Sequence, residues 1–185
     1  MKKVLMLSLM FLMLVFLTAC GSSSDKHAED IVEKYMGTAA LRVRNQVGGD
    51  DFCFFKSEFD SVLSRLATDH EDVYEVRVFY FLEFEKVDNF GYALISLNFT
   101  YPAGHVDPKP SASSWKIDVF YDAEAFEASK LEAIASLDTF QSQSEALAQA
   151  LEDDGSYVLF NLTRGAGEYD MHQVYEHVNN TLANQ

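Results

Sequence analysis

The run VYEVRVFYFLEFEKV at positions 73–87 constrains the fold more than any other part of this chain. Its period is two: Tyr74, Val76, Val78, Tyr80, Leu82 and Phe84 share one face, and Glu75, Arg77, Glu83 and Glu85 lie opposite. A strand with one apolar and one charged face belongs to an antiparallel sheet, because a parallel strand is apolar on both. The run is also far longer than a typical strand, so a bend or bulge is expected. Phe79 and Phe81 interrupt the charged face, which predicts that something covers this aromatic patch.

The neighbouring segments extend the sheet. DNFG at 88–91 signals a turn, and YALISLNFTY at 92–101 alternates again, so the two runs predict a hairpin. PAGHVDPKPSAS at 102–113 reads as a loop, and SWKIDVFY at 114–121 as a third strand with Trp115, Ile117, Val119 and Tyr121 on one side. SYVLFNL at 156–162 supplies a fourth.

Helical spacing appears around these strands. Ile31, Val32, Tyr35, Met36, Ala39, Val43 and Val47 form one stripe, ended by Gly48-Gly49. Ser57 can cap a second helix, with Phe59, Val62, Leu63 and Leu66 inward. Asp122 can cap a third, rich in alanine and glutamate over 123–135. A break near 136–139 then precedes a fourth helix at 142–153, stopped by Gly155. A last helix over 168–183 turns Met171, Val174, Tyr175, Val178 and Leu182 to one side. The predicted order is α-α-β-β-β-α-α-β-α: an α+β domain over 26–185, with an antiparallel sheet of about four strands and helices mainly on one face. A leading helix followed by long curved hairpin strands resembles cystatin-like or nuclear-transport-factor-like domains, although the later helices depart from that pattern. This resemblance implies a fold and no function.

The first twenty residues follow other rules. Lys2 and Lys3 precede an apolar run from Val4 to Leu17, then the small Thr18 and Ala19. That succession marks a secretory signal, and the run is shorter than the roughly 20 residues that span a bilayer. Leu17-Thr18-Ala19-Cys20 resembles the lipobox of bacterial lipoprotein precursors. The resemblance implies cleavage between Ala19 and Cys20, a diacylglyceryl thioether on the Cys20 sulfur, and usually a further acyl chain on the new amino terminus. Residues 1–19 are then a signal peptide, and 20–25 the lipidated cysteine with a flexible Gly-Ser leash. Two or more acyl chains anchor a protein stably where one does not. The expected location is a membrane leaflet facing the periplasm or exterior. With Gly21 rather than Asp after the cysteine, it is the outer membrane in a Gram-negative host.

Charge narrows the partners. The chain holds 14 basic and 29 acidic residues, a net charge of −15. Residues 1–19 hold two of the basic residues and no acid, so the remainder carries 12 against 29, or −17. Such a surface repels phosphate backbones and excludes nucleic acid as a partner. The acyl chains on Cys20 must do the anchoring alone, since no polybasic segment assists them.

Chemistry-bearing patterns are sparse. With Cys20 lipidated, Cys53 has no intrachain partner; set between aromatics in DFCFFK, it predicts a buried, inert thiol. His172 and His177 share the last helix but point about 140° apart, unlike the i, i+4 pair that zinc prefers. The GGDD at 48–51 lacks the alternating ligands of a calcium loop. LTRGAGEYDMH at 162–172 could offer a glycine-lined helix start to phosphate. Asp170 stands where the third glycine belongs, and Glu168 repels an anion, so a tight turn is expected instead. No nucleophile elbow or Cys-His pair is present. The sequence therefore predicts no catalytic residue, metal or cofactor. It favours a non-catalytic binding or accessory domain with an unidentified envelope protein partner, the patch at Phe79 and Phe81 being one place to meet it. An immunity or inhibitor lipoprotein acting on a basic toxin, and an envelope hydrolase with a site assembled from distant residues, are the alternatives.

Overall fold

The structure is a computed structural model that describes residues 22–48, 51–67, 72–87, 89–102, 112–155 and 159–184. The lipobox, the Gly49-Asp50 part of the acidic turn, most of the proline-containing loop, His70 and His105 lie outside the described residues. Helix α1 spans Ser22–Val47, followed by strands β1 (Phe52–Ala67), β2 (Asp72–Lys86), β3 (Asn89–Pro102) and β4 (Ala112–Phe120). Helix α2 (Ala123–Asp153), strand β5 (Leu159–Glu168) and helix α3 (Met171–Ala183) complete the order. The five strands form one antiparallel sheet in the order β4-β3-β2-β1-β5. The α+β class is as expected, with five strands where about four were predicted.

Alternation decides what each face of the sheet packs against. Val76, Val78, Tyr80, Leu82 and Phe84 of β2 are buried with Ala93, Ile95, Leu97 and Phe99 of β3. Against them lie Ile31, Val32, Met36, Ala39, Ala40 and Val43 of α1 and Val174 and Val178 of α3. Two helices thus seal this face. The other carries α2, whose Phe126 and Ala133 are buried with Phe81 and Leu94, and whose Leu137 and Phe140 are buried with Val62.

The helix ends follow the chemistry of their free backbone groups. Gly48, at φ 72°, ends α1, and its amide returns to the Arg44 carbonyl at 2.9 Å. Lys86 Nζ donates to the Val47 carbonyl at 2.8 Å, placing a cation at the negative end of the helix. Asp122 caps α2 by accepting from the Ala125 amide at 2.7 Å, and Asp170 caps α3 through His172 N at 2.8 Å.

Four expectations are corrected. Residues 57–66 are not a helix but the middle of β1, hydrogen-bonded to β2 on one side and β5 on the other. The expected break at 136–139 is absent, and α2 runs unbroken for 31 residues. The glycine segment at 165–167 is strand rather than turn, because β5 continues to Glu168. Ser22–Asp25, expected to be a flexible leash, belong to α1. The irregularity expected in the 73–87 strand falls instead on its neighbour: β1 carries the extra residue between Phe54 and Lys56, while β2 pairs with β3 without a register shift.

Candidate functional site

The residues offered as a partner patch are taken up by the chain itself. Phe81 is buried under α2 against Phe126 and Ala133, and Phe79 packs half-buried beside it. This corrects the partner reading of Phe79 and Phe81: the layer that covers them is α2. The exposed aromatic pair lies elsewhere, where Phe55 at the bulge meets Phe90 at the start of β3, ring centroids 5.6 Å apart.

Cys53 is exposed, not buried, and free. β5 stops opposite Glu58, so beyond that point the β1 edge facing away from β2 has no strand beside it among the described residues. Tyr175 of α3 takes the vacant place: its hydroxyl accepts from the Phe54 amide and lies 3.0 Å from the Phe54 carbonyl and 2.8 Å from Cys53 Sγ. Burial, with the Cys53 thiol beside it, pushes the Tyr175 phenol up. The pair is a structural latch between α3 and the sheet edge.

The charged cluster lies on the opposite face. Alternation along β1 points Glu58 and Asp60 towards α2, and on β5 it points Arg164, Ala166 and Glu168 the same way. Between them and α2 is a cleft of about 380 Å³, with Phe81, Ile134 and Ala166 as apolar wall and Glu58, Asp60, Lys130 and Glu168 as polar lining. Lys130 reaches from α2 to Glu58 Oε2, and its Nζ stands 5.0 Å from the centre of the Phe81 ring. Lys56 binds the other Glu58 oxygen and lies 3.9 Å from Glu168. Arg164 Nη2 pairs with Asp60 Oδ2 at 2.7 Å and Asp138 Oδ1 at 3.3 Å.

The two carboxylates two residues apart are shifted in opposite directions. Burial pushes Glu58 up, but its hydrogen bonds to Lys130 and Lys56 outweigh this and hold it below the usual carboxylate range. Burial raises Asp60, Asp138 adds to the rise, and Arg164 and the Ser61 amide recover only part of it. Asp60 is 7% exposed and its Oδ1 is buried without a hydrogen-bond partner.

Sequence reasoning missed Glu58 and Asp60 because they were placed on a helix, where they would not share a face. Arg164 falls in the glycine-containing segment that the sequence reads as a turn, away from any charged cluster. The Phe-flanked alternation Glu58-Phe59-Asp60 was the available signal. On the other side of the sheet, a smaller cavity of about 140 Å³ separates α1 from α3, lined by Glu33, Gly37, Tyr169 and His177. His172 is exposed, 3.7 Å from Glu176, so the two helix histidines stand apart. Among the described residues no group of three or more His, Cys, Asp or Glu is placed to hold a metal ion, and no helix is long and apolar enough to cross a membrane. Comparison with protein-family models, curated proteins and solved structures finds no match for this chain.

Proposed function

We propose that this chain is a membrane-tethered lipoprotein whose folded head is a non-catalytic binding or accessory module of the cell envelope. Cleavage between Ala19 and Cys20 and acylation of Cys20 supply the tether, on the periplasmic or exterior side of a membrane, the outer one in a Gram-negative host. Two features support a short tether: the lipobox is in register behind its apolar run, and α1 begins at Ser22, two residues after Cys20.

The observation that carries the non-catalytic reading is the state of Glu58. Both of its oxygens hold a lysine, so its charge is engaged by two cations of the chain rather than presented to a substrate proton, and Asp60 Oδ2 is held by Arg164. An acid–base pair needs groups free to exchange protons with a bound substrate. These are instead arranged as fixed charges around an apolar wall, which suits recognition.

The test is fractionation with chemical labelling. Wild-type cells fed an alkyne fatty acid should yield a labelled protein in the membrane fraction, and Cys20→Ala should lose both label and membrane residence. An intact mass equal to the bare polypeptide would overturn the tether. Hydrolysis of purified envelope material by the wild-type head, abolished in Glu58→Gln, would overturn the non-catalytic reading.

A further inference from the structure

We propose that the cleft between α2 and the β1–β5 edge is an anchor pocket for one basic side chain, a lysine or arginine, presented by a protein partner. The inference rests on the binding-module reading and names the chemistry of that partner. Around the cleft, the carboxylates of Glu58, Asp60, Asp138 and Glu168 face the cations of Lys56, Lys130 and Arg164. Four negative groups against three positive ones leave room for one more cation.

The unpaired atom says where that cation goes. Asp60 lines the cleft and is more than nine-tenths buried; Arg164 holds its Oδ2, while its Oδ1 and Arg164 Nη1 are both buried without a hydrogen-bond partner. A buried acceptor without a donor is unfavourable, and a charge-assisted bond from an incoming ammonium or guanidinium removes that penalty. Lys130 already displays the mode of binding. It inserts from α2, bonds Glu58, and holds its charged end near the face of Phe81. Beyond it, Ile134 and Ala166 offer apolar wall to the stem of a second basic side chain.

The volume, about 380 Å³, is at the small end of ligand pockets, which suits one side chain rather than a polymer. A net charge of −15 over the chain attracts an extended basic surface, with its many charges, more strongly than a small amine. A protein is therefore the favoured source of the cation.

The test uses the full chain purified in detergent, titrated calorimetrically and by amide NMR. The probes are N-acetyl-arginine amide, its neutral citrulline counterpart, spermidine, and an arginine-centred basic peptide. Expected is saturable binding of the arginine amide with shifts at Ala166 and Gly167, no response to citrulline, and tighter binding of the peptide than of spermidine. Asp60→Asn should weaken arginine binding about tenfold or more. Ala166→Leu should do the same by filling the cleft, and it decides the matter if Asp60→Asn is poorly folded. Glu176→Gln on α3 should change nothing. Absence of saturable binding, an equal response to citrulline, or indifference to Ala166→Leu would overturn the pocket. Spermidine binding more tightly than the peptide would overturn the protein partner. A failed pocket with Cys20 still acylated removes this inference alone, whereas an unacylated Cys20 with the pocket intact removes only the tether.

Discussion

Tyr80 of β2 donates its hydroxyl proton to the Val32 carbonyl of α1 across 2.7 Å of core, with its own side chain fully buried. A phenol can be buried only where its polar tip finds a partner. Here that partner fixes the height at which α1 crosses the sheet. Burial pushes the Tyr80 phenol well above its ordinary range, and nearby Tyr169 and Tyr35 add to it. The hydroxyl therefore stays protonated and remains a donor. Tyr80→Phe should cost about 1 kcal/mol, because the Val32 carbonyl lies inside α1 and keeps its helical amide. Urea unfolding should show a lower midpoint with an unchanged slope. An unchanged midpoint would mean the bond adds nothing to the packing.

Gly37 of α1 and His177 of α3 form a tight crossing. A Cβ on Gly37 would come 2.3 Å from His177 Cδ2 and 2.4 Å from Cγ, so the ring itself must leave or the helices must part. Gly37→Ala should destabilise by about 1–3 kcal/mol through overpacking. Adding His177→Ala should reverse the sign, since alanine is the better helix former by about 1 kcal/mol once the clash is gone. Thermal unfolding of the two single variants and the double variant measures the coupling. Additive effects would disprove the contact.

Which elements were legible in the sequence follows from how cleanly each one alternates. β2 and β3 were readable because each keeps some polar positions on its second face. β1 was misread as a helix because apolar and polar residues mix on both its faces without clean alternation. Leu63 turns to α1 and α3 while the adjacent Val62 turns to α2, and Ser57 and Ser61 are buried on the Leu63 face. Val62 and Leu63, with Phe59 and Leu66, imitate a helical stripe. The false break in α2 arose from Ser136, Thr139 and Ser142. Their hydroxyls bond back to the Ala133, Ala135 and Asp138 carbonyls at 2.7, 3.0 and 3.0 Å, so they satisfy themselves without ending the helix. Gly167 suggested a turn, but its missing side chain serves Phe59: a Cβ there would meet that ring at 2.9 Å. The cleft depended on the β1–β5 pairing, a contact between residues about a hundred positions apart. No local pattern records such a pairing.

The β2–β3 hairpin contains a strained residue. Lys86 pairs with Asn89, leaving a two-residue connection, and Val87 within it has φ 45°. The left-handed region costs an L-residue roughly 1–2 kcal/mol and is hardest on a β-branched side chain. Val87 is also 63% exposed, so little packing is lost on replacing it. Val87→Asn should stabilise the protein by about 1 kcal/mol, since asparagine is favoured in such turns. The melting temperature should rise by several degrees. A fall would show that the valine contributes packing that outweighs its backbone strain.

Glu58 and Asp60 should give stability opposite pH dependences, although they are neighbours on one face of one strand. Glu58 is held below its ordinary value of 4.5. Its contribution is therefore present above that value and lost as pH falls through the lower folded pKa. Asp60 is raised above 3.8, so the folded state binds its proton more tightly than the unfolded chain. Stability then declines as pH rises through that window and is flat beyond it. Asp60 faces Arg164 on β5 and, across that arginine, Asp138 on α2. Glu58→Gln should cost about 1 kcal/mol at neutral pH, a partly exposed cluster supplying no more, and the deficit should close in acid. Asp60→Asn removes a group that resists ionisation, so its stability relative to wild type should increase as pH rises from about 3.5 towards neutrality. Urea midpoints for the three proteins across that range provide the check. Parallel curves for the two variants would mean that the ion pairs of the cleft do not partition the charges in this way.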